Sequence, residues 1–264
     1  MNLHLENRTA LVSGSTAGIG FAIAQVLARE GAHVIVNGRT QERVDSALAQ
    51  IRKEAPRSKV EGIAADLGNR AGCDLAASKF PSVDILVNNL GIFEPKAFEQ
   101  IPDADWQRFF EVNVMSGVRL SRTYLPGMKQ RNWGRIIFIS SESGVQIPAE
   151  MVHYGMTKTA QIAIARGLAE TCGGTEVTVN SVLAGPTASE GVTQFVAVLA
   201  KEQKVSAEDF EKEFFRSVRP SSLLKRFIRP EEVAAAVAFV CSPASSAING
   251  AALRADGGVV KAAF

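Results

Sequence analysis

Short unbroken apolar runs alternate with amphipathic helical stretches along almost the whole chain, and this rhythm narrows the fold more than any other feature. Runs such as DILV and RIIFI show no in–out alternation, as expected of parallel strands covered on both faces. Strands are predicted over Thr9–Ser13, His33–Asn37, Val60–Ala65, Val83–Asn88, Arg135–Ser140, Val177–Leu183 and Ala251–Arg254. Between them, Ile19, Ile23, Val26 and Leu27 fall on one helical stripe, and Val44, Leu48 and Ile51 on another. Such alternation predicts a doubly wound α/β fold: a mostly parallel seven-stranded sheet with helices on both faces and right-handed connections.

The chain of 264 residues is 46% apolar, enough to bury the core of one large domain spanning 1–264 and to exclude disorder. Its net charge is +2 without a long basic or acidic run, so no nucleic-acid partner is expected. The apolar stretch AAAVAFVC at 234–241 is far shorter than the ~20 residues a membrane helix needs, so no membrane partner is expected either. The opening MNLHLENR lacks the apolar segment of a signal peptide. Cys73, Cys172 and Cys241 lie far apart and suggest neither a disulfide framework nor a metal site. A soluble, cytoplasmic protein acting on a small molecule is the expectation. One segment, 187–226, breaks the rhythm with helical patterns at Phe195–Ala200 and Glu208–Phe215. It is expected to be a lid or small subdomain beside a site, the alternative being a surface insertion without function.

After the first strand comes SGSTAGIG, with Gly14, Gly18 and Gly20 opening into a helix. Glycines let the backbone turn sharply and approach a ligand, and a helix N-terminus offers free N–H groups and positive potential to a diphosphate. The spacing is a variant of the dinucleotide-binding pattern of Rossmann-type folds. The second strand, HVIVNGRT, ends without the carboxylate that would bind ribose hydroxyls in NAD. Gly38 leaves space there, and Arg39 supplies a planar cation suited to a 2′-phosphate, with Arg43 one turn on. NADP is therefore expected, with NAD as the alternative.

SGSTAGIG, NNLG at 88–91, Asn113, Ser141 and YGMTK at 154–158 occur in this order, and together they resemble the single-domain branch of the short-chain dehydrogenase/reductase family. The resemblance covers nearly the whole chain, including RFIRPEEVAAAVAFVCS and INGAALRADGG. It implies hydride transfer between a nicotinamide and a carbonyl or secondary alcohol. Tyr154 would be the general acid or base, and Lys158 would lower its pKa and bind the nicotinamide ribose. Ser141 would polarise the carbonyl, and Asn113 would hold a water linking Lys158 to solvent. Gly14, Ser15, Gly18, Ile19 and Gly20 would form the diphosphate turn. Asp66 and Leu67 would meet the adenine, and Asn88 and Gly91 the adenosine side. Gly185, Thr187 and Ser189 would meet the nicotinamide and diphosphate. The chain departs from the family pattern at Ser13, Leu90, Ala184 and Ser189, none of them a catalytic position.

The catalytic pair also has a physical rationale of its own. Tyr154 and Lys158, spaced i,i+4 on a helical pattern, project from one face. A free tyrosine titrates near pH 10, and a nearby ammonium brings that down. Glu142 is expected either to line the pocket or to be a solvated loop carboxylate. Phe93, Gln146 and Met151 lie near the expected substrate space, and His153 is expected to pack or to point outward. The small-residue helix Thr159–Ala169 suggests a homo-oligomer, tetramer or dimer. Two rival readings are an NAD-preferring dehydrogenase of the same family and a non-catalytic dinucleotide-binding sensor.

Overall fold

The computed structural model describes residues 2–203 and 205–263. Its strands are β1 (Thr9–Val12), β2 (His33–Gly38), β3 (Val60–Ala64), β4 (Ile85–Asn88), β5 (Gly134–Ser141), β6 (Val177–Ala184) and β7 (Ala252–Ala255). They pair in parallel as one seven-stranded sheet in the order β3-β2-β1-β4-β5-β6-β7. The helices between them are α1 (Gly18–Arg29), α2 (Gln41–Glu54), α3 (Arg70–Lys79), α4 (Asp103–Phe110), α5 (Ser116–Gln130), α6 (Val152–Glu170), α7 (Glu190–Gln203), α8 (Ala207–Glu213) and α9 (Pro230–Cys241).

β1, β4, β5 and β6 are buried along nearly all their length, which accounts for their unbroken apolar character. Side chains alternate faces along each strand and feed two separate cores. Val12, Val34, Val36 and Val87 join Ile23, Leu27 and Val237 on one side; Leu11, Ile35, Leu86 and Phe138 join Leu120, Tyr124 and Ala165 on the other. Strand order reverses between β1 and β4, and the crevice beyond their carboxyl ends is where such sheets bind ligands.

Strand ends differ from the sequence expectation by a residue or two, for local reasons. The ladder of β1 ends at Ser13, whose carbonyl accepts the Asn89 side-chain amide at 3.0 Å while its hydroxyl accepts the N–H groups of Asn89 and Leu90. β7 begins one residue late because the Ala251 N–H goes to the Asn180 side chain at 2.9 Å. Asn113, expected within a long helix, sits in a π turn, Glu111–Met115, that joins α4 to α5. The helical pattern expected to run to Phe215 gives way after α8 to a second π turn, Phe214–Val218.

The segment 187–226 carries α7 and α8 and builds a small apolar cluster of its own. Val196, Ala200 and Phe210 are buried there against Val192, Phe214 and Phe227. A single parallel bridge between Thr187 and Ile228 closes its base.

Candidate active site

The glycine turn is held from both sides by two asparagines at strand ends. Asn37 of β2 accepts the Gly14 N–H at 2.9 Å and donates to the Ala65 carbonyl at 2.9 Å. Asn89, just past β4, donates to the carbonyls of Ser13 and Gly14 at 3.0 and 3.1 Å. Ser15 faces inward as a strut, donating to Val12 and accepting from Asn37. Gly14 and Gly18 have φ of +60° and +58°, and a Cβ on Gly20 would stand 2.4 Å from the Gly14 carbonyl oxygen. Only glycine fits these positions. Ala17 caps α1 without a side-chain hydrogen bond, and no acidic residue sits in the first turn. The first N–H groups of α1 are thus left as donors in a positive field. This cradle fits a diphosphate.

Gly18, Ile19, Gly20, Gly91, Ser141, Tyr154, Lys158, Gly185, Thr187 and Ser189 line one cavity of about 650 Å³. Gly14, Ser15, Arg39, Asp66, Leu67, Asn88 and Asn113 lie outside its lining. Arg39 is exposed at the end of β2, beside the cradle. Asp66 is also exposed and folds its carboxylate onto the Gly68 N–H and the Asn69 amide at 3.0 and 3.1 Å. The Asn88 carboxamide is buried against Ser121, and its neighbour Asn89 reaches the cavity instead. An asparagine at each of two strand ends flanking a glycine turn is a signal that sequence reading passed over.

Ser141 ends β5, and Tyr154 and Lys158 project from α6, which packs on β5 and β6. The Ser141 hydroxyl donates to the carboxylate of Glu142, which also accepts from the Ser143 hydroxyl at 2.6 Å. Glu142 is buried and lines the cavity, so the pocket alternative holds for it. Its partner is Arg219, from the segment 187–226, with Nε 2.9 Å from Glu142 Oε1 and Nη1 3.1 Å from Glu150 Oε1. Nothing local in the sequence signals that pairing. Phe93 and Met151 line the cavity as well, whereas Gln146 is exposed and outside it.

Burial pushes the Tyr154 phenol well above its usual value, and the Glu142 carboxylate pushes it further. The neighbouring Ser141 hydroxyl and the Arg219 guanidinium pull it back. The expected lowering by Lys158 is not seen in the protein alone, where Nζ stands 5.6 Å from the phenol ring centroid. Lys158 is itself pushed down to about 8 by burial. Its Nζ donates to the Ile139 carbonyl at 2.9 Å and to Gln161 Oε1 at 3.1 Å. The Asn113 carboxamide accepts the Ile92 N–H at 2.8 Å and donates to the Ile92 carbonyl and the Thr157 hydroxyl, both at 3.0 Å. His153 packs rather than pointing outward, its ring 4.1 Å from that of Phe109.

Comparison with known proteins places the chain in a family. A family model described as enoyl-(acyl carrier protein) reductase matches residues 14–260. An uncharacterised oxidoreductase of Bacillus subtilis, YvaG, is 50% identical over 264 residues, 100% of each chain. The D-beta-hydroxybutyrate dehydrogenase of Cupriavidus necator is 34% identical, covering 97% of this chain and 99% of its own. Among solved structures, L-sorbose reductase from Gluconobacter frateurii, complexed with NADPH and L-sorbose, superposes with a TM-score of 0.93. It is 30% identical, with 99% of this chain and 100% of that one covered. The chain belongs to the short-chain dehydrogenase/reductase family. It is an oxidoreductase of the kind that acts on alcohol and carbonyl groups.

Proposed function

We propose that the protein is an NADP(H)-dependent carbonyl reductase in which Tyr154 is the general acid. The observation that carries this reading is the meeting, in one cavity, of the glycine cradle with Ser141, Tyr154 and Lys158. The cofactor, when bound, supplies the hydride. Gly18, Ile19 and Gly20 with the start of α1 hold its diphosphate, and Arg39 binds its 2′-phosphate. Lys158, reaching up beside Gly91, holds the nicotinamide ribose. A Cβ on Gly91 would stand 3.4 Å from Lys158 Nζ, so glycine keeps that approach open.

Ser141 orients the substrate oxygen, and Tyr154 gives it the phenolic proton as the alkoxide develops. Charge on the resulting phenolate is stabilised by the Lys158 ammonium as that group closes on the bound cofactor. In the reverse direction the phenolate takes the proton back. The cap formed by 187–226 supplies the apolar wall of the substrate space through Val192, Phe210 and Phe214. Glu142, Glu150 and Arg219 form its polar side. The exposed Thr159, Ala163 and Gly167 on α6 are small enough for another copy of the chain to pack closely.

Fluorescence titration of the purified protein with NADPH and with NADH tests the proposal. Tighter binding of NADPH is the expected result. Equal or tighter binding of NADH overturns the reading of Arg39, and binding of neither by folded protein removes the catalytic proposal altogether.

A further inference from the structure

In this protein a side chain bridges Lys158 and Asn113. Gln161 lies one turn beyond Lys158 on α6 and on the same face, since residues spaced i,i+3 are neighbours on a helix. It is buried, and its carboxamide is satisfied at both ends. Nε2 donates to the Asn113 backbone carbonyl at 2.6 Å, and Oε1 accepts from Lys158 Nζ at 3.1 Å. The orientation is settled by chemistry. Turned over, the amide would set its oxygen against the Asn113 carbonyl and its N–H against an ammonium, two contacts between like partners. The Asn113 carbonyl that accepts this bond belongs to the π turn Glu111–Met115.

We propose that Gln161 is a positioning residue that joins Lys158 directly to the Asn113 backbone carbonyl. The groups around the ammonium are few. Ile139 contributes a carbonyl from β5, Tyr154 faces it from the same helix, and beyond Tyr154 stand Glu142 and its partner Arg219. No carboxylate is bonded to Lys158 among the described residues. Two neutral oxygens, from Ile139 and Gln161, therefore hold its charge in a buried position. A hydrogen bond accepted from a charged group favours the charged form, so Gln161 keeps Lys158 protonated to higher pH than burial alone would allow. It also fixes the angle from which the ammonium reaches toward Gly91.

This inference rests on the proposed roles of Tyr154 and Lys158, but its test reads Lys158 in the protein alone. Lysine side chains labelled with 13C at Cε are titrated by NMR, and Lys158 is assigned by its loss in Lys158→Met. Two variants separate the polar link from packing. Gln161→Met conserves volume but accepts only weakly. Gln161→Ala leaves a polar gap between Nζ and the Asn113 carbonyl that one water can fill.

If the link is polar, Lys158 titrates about one pH unit lower in the Met variant, the shift expected on losing a hydrogen bond to a charged group. The Ala variant then stays close to wild type, and this expectation can be read by itself if the Met variant does not fold. Unchanged titration in the Met variant, or a shift in the Ala variant as large as in the Met variant, overturns the proposal. Failure of the catalytic reading would instead show as retained turnover in Tyr154→Phe.

Discussion

The catalytic row and the cap above it are built in opposite ways. Ser141, Tyr154 and Lys158 stand on β5 and α6, an eight-residue strand buried throughout and a long helix packed on it. Their positions follow from the main sheet. Among the described residues, the cap has a cluster around Val196, Ala200 and Phe210 and a strand-like bridge, Thr187 to Ile228, at its base. Polar ties hold it to the body: Arg219 to Glu142 and Glu150, and Arg43 to Glu190 at 2.6 Å. The proposed catalytic side chains are thus held by the sheet, while the cap wall of the cavity is carried on a segment with its own apolar cluster.

The sharpest way to isolate the row is Tyr154→Phe. Turnover should fall by roughly 10²–10⁴-fold, the usual contribution of a positioned general acid, while cofactor binding and thermal stability hardly change. Steady-state NADPH oxidation with a carbonyl substrate, set beside fluorescence titration, checks both halves.

Arg219→Met breaks the tie between the two regions. It strands the Glu142 carboxylate, whose side chain is 4% exposed, and loss of one partner of such a buried pair costs about 3 kcal/mol. A lowered Tm is expected, and Glu142→Gln added to Arg219→Met should recover more than half of it. Equal Tm values for wild type and Arg219→Met would show that this ion pair does not help hold the cap.

Arg39→Ala touches neither region and serves as the control. NADPH should bind about tenfold more weakly, as when a charge-assisted contact to phosphate is lost, and NADH should bind as before. A parallel loss for both cofactors would mean that Arg39 supports the fold rather than reading the phosphate.

The smallest effect concerns the body beneath the row. Desolvation holds the buried His153 below its usual 6.5, so the unfolded chain takes up a proton there more readily than the folded one. Its contribution to stability is therefore complete above pH 6.5 and declines as the pH falls below it. Urea unfolding of wild type and His153→Phe at pH 5.5 and 7.5 measures this, and the variant should lose less stability on acidification.

Much of this architecture was legible in the chain because its signals are local. Continuous apolar runs mark parallel strands, Gly14, Gly18 and Gly20 mark a turn that no other residue can make, and Tyr154 with Lys158 marks one helix face. What escaped was pairing between distant positions. Asn89 clamps the glycine turn across 75 residues, Gln161 reaches Asn113 across 48, and Arg219 meets Glu142 across 77. Asn113 shows the same limit within one helix, since a π turn leaves no mark in the apolar periodicity.

The sequence by itself determined the fold class, the glycine cradle and the candidate site side chains, because periodicity, backbone freedom and side-chain chemistry belong to the residues themselves. Tertiary structure alone decided that Glu142 is a buried, paired carboxylate rather than a solvated one. It also decided that a glutamine amide stands between Lys158 and Asn113, and that Tyr154 in the protein alone is shifted upward. The physical reason is common to all three: the energy of a polar group depends on how far it is removed from water and on what is packed against it, and the folded chain sets both.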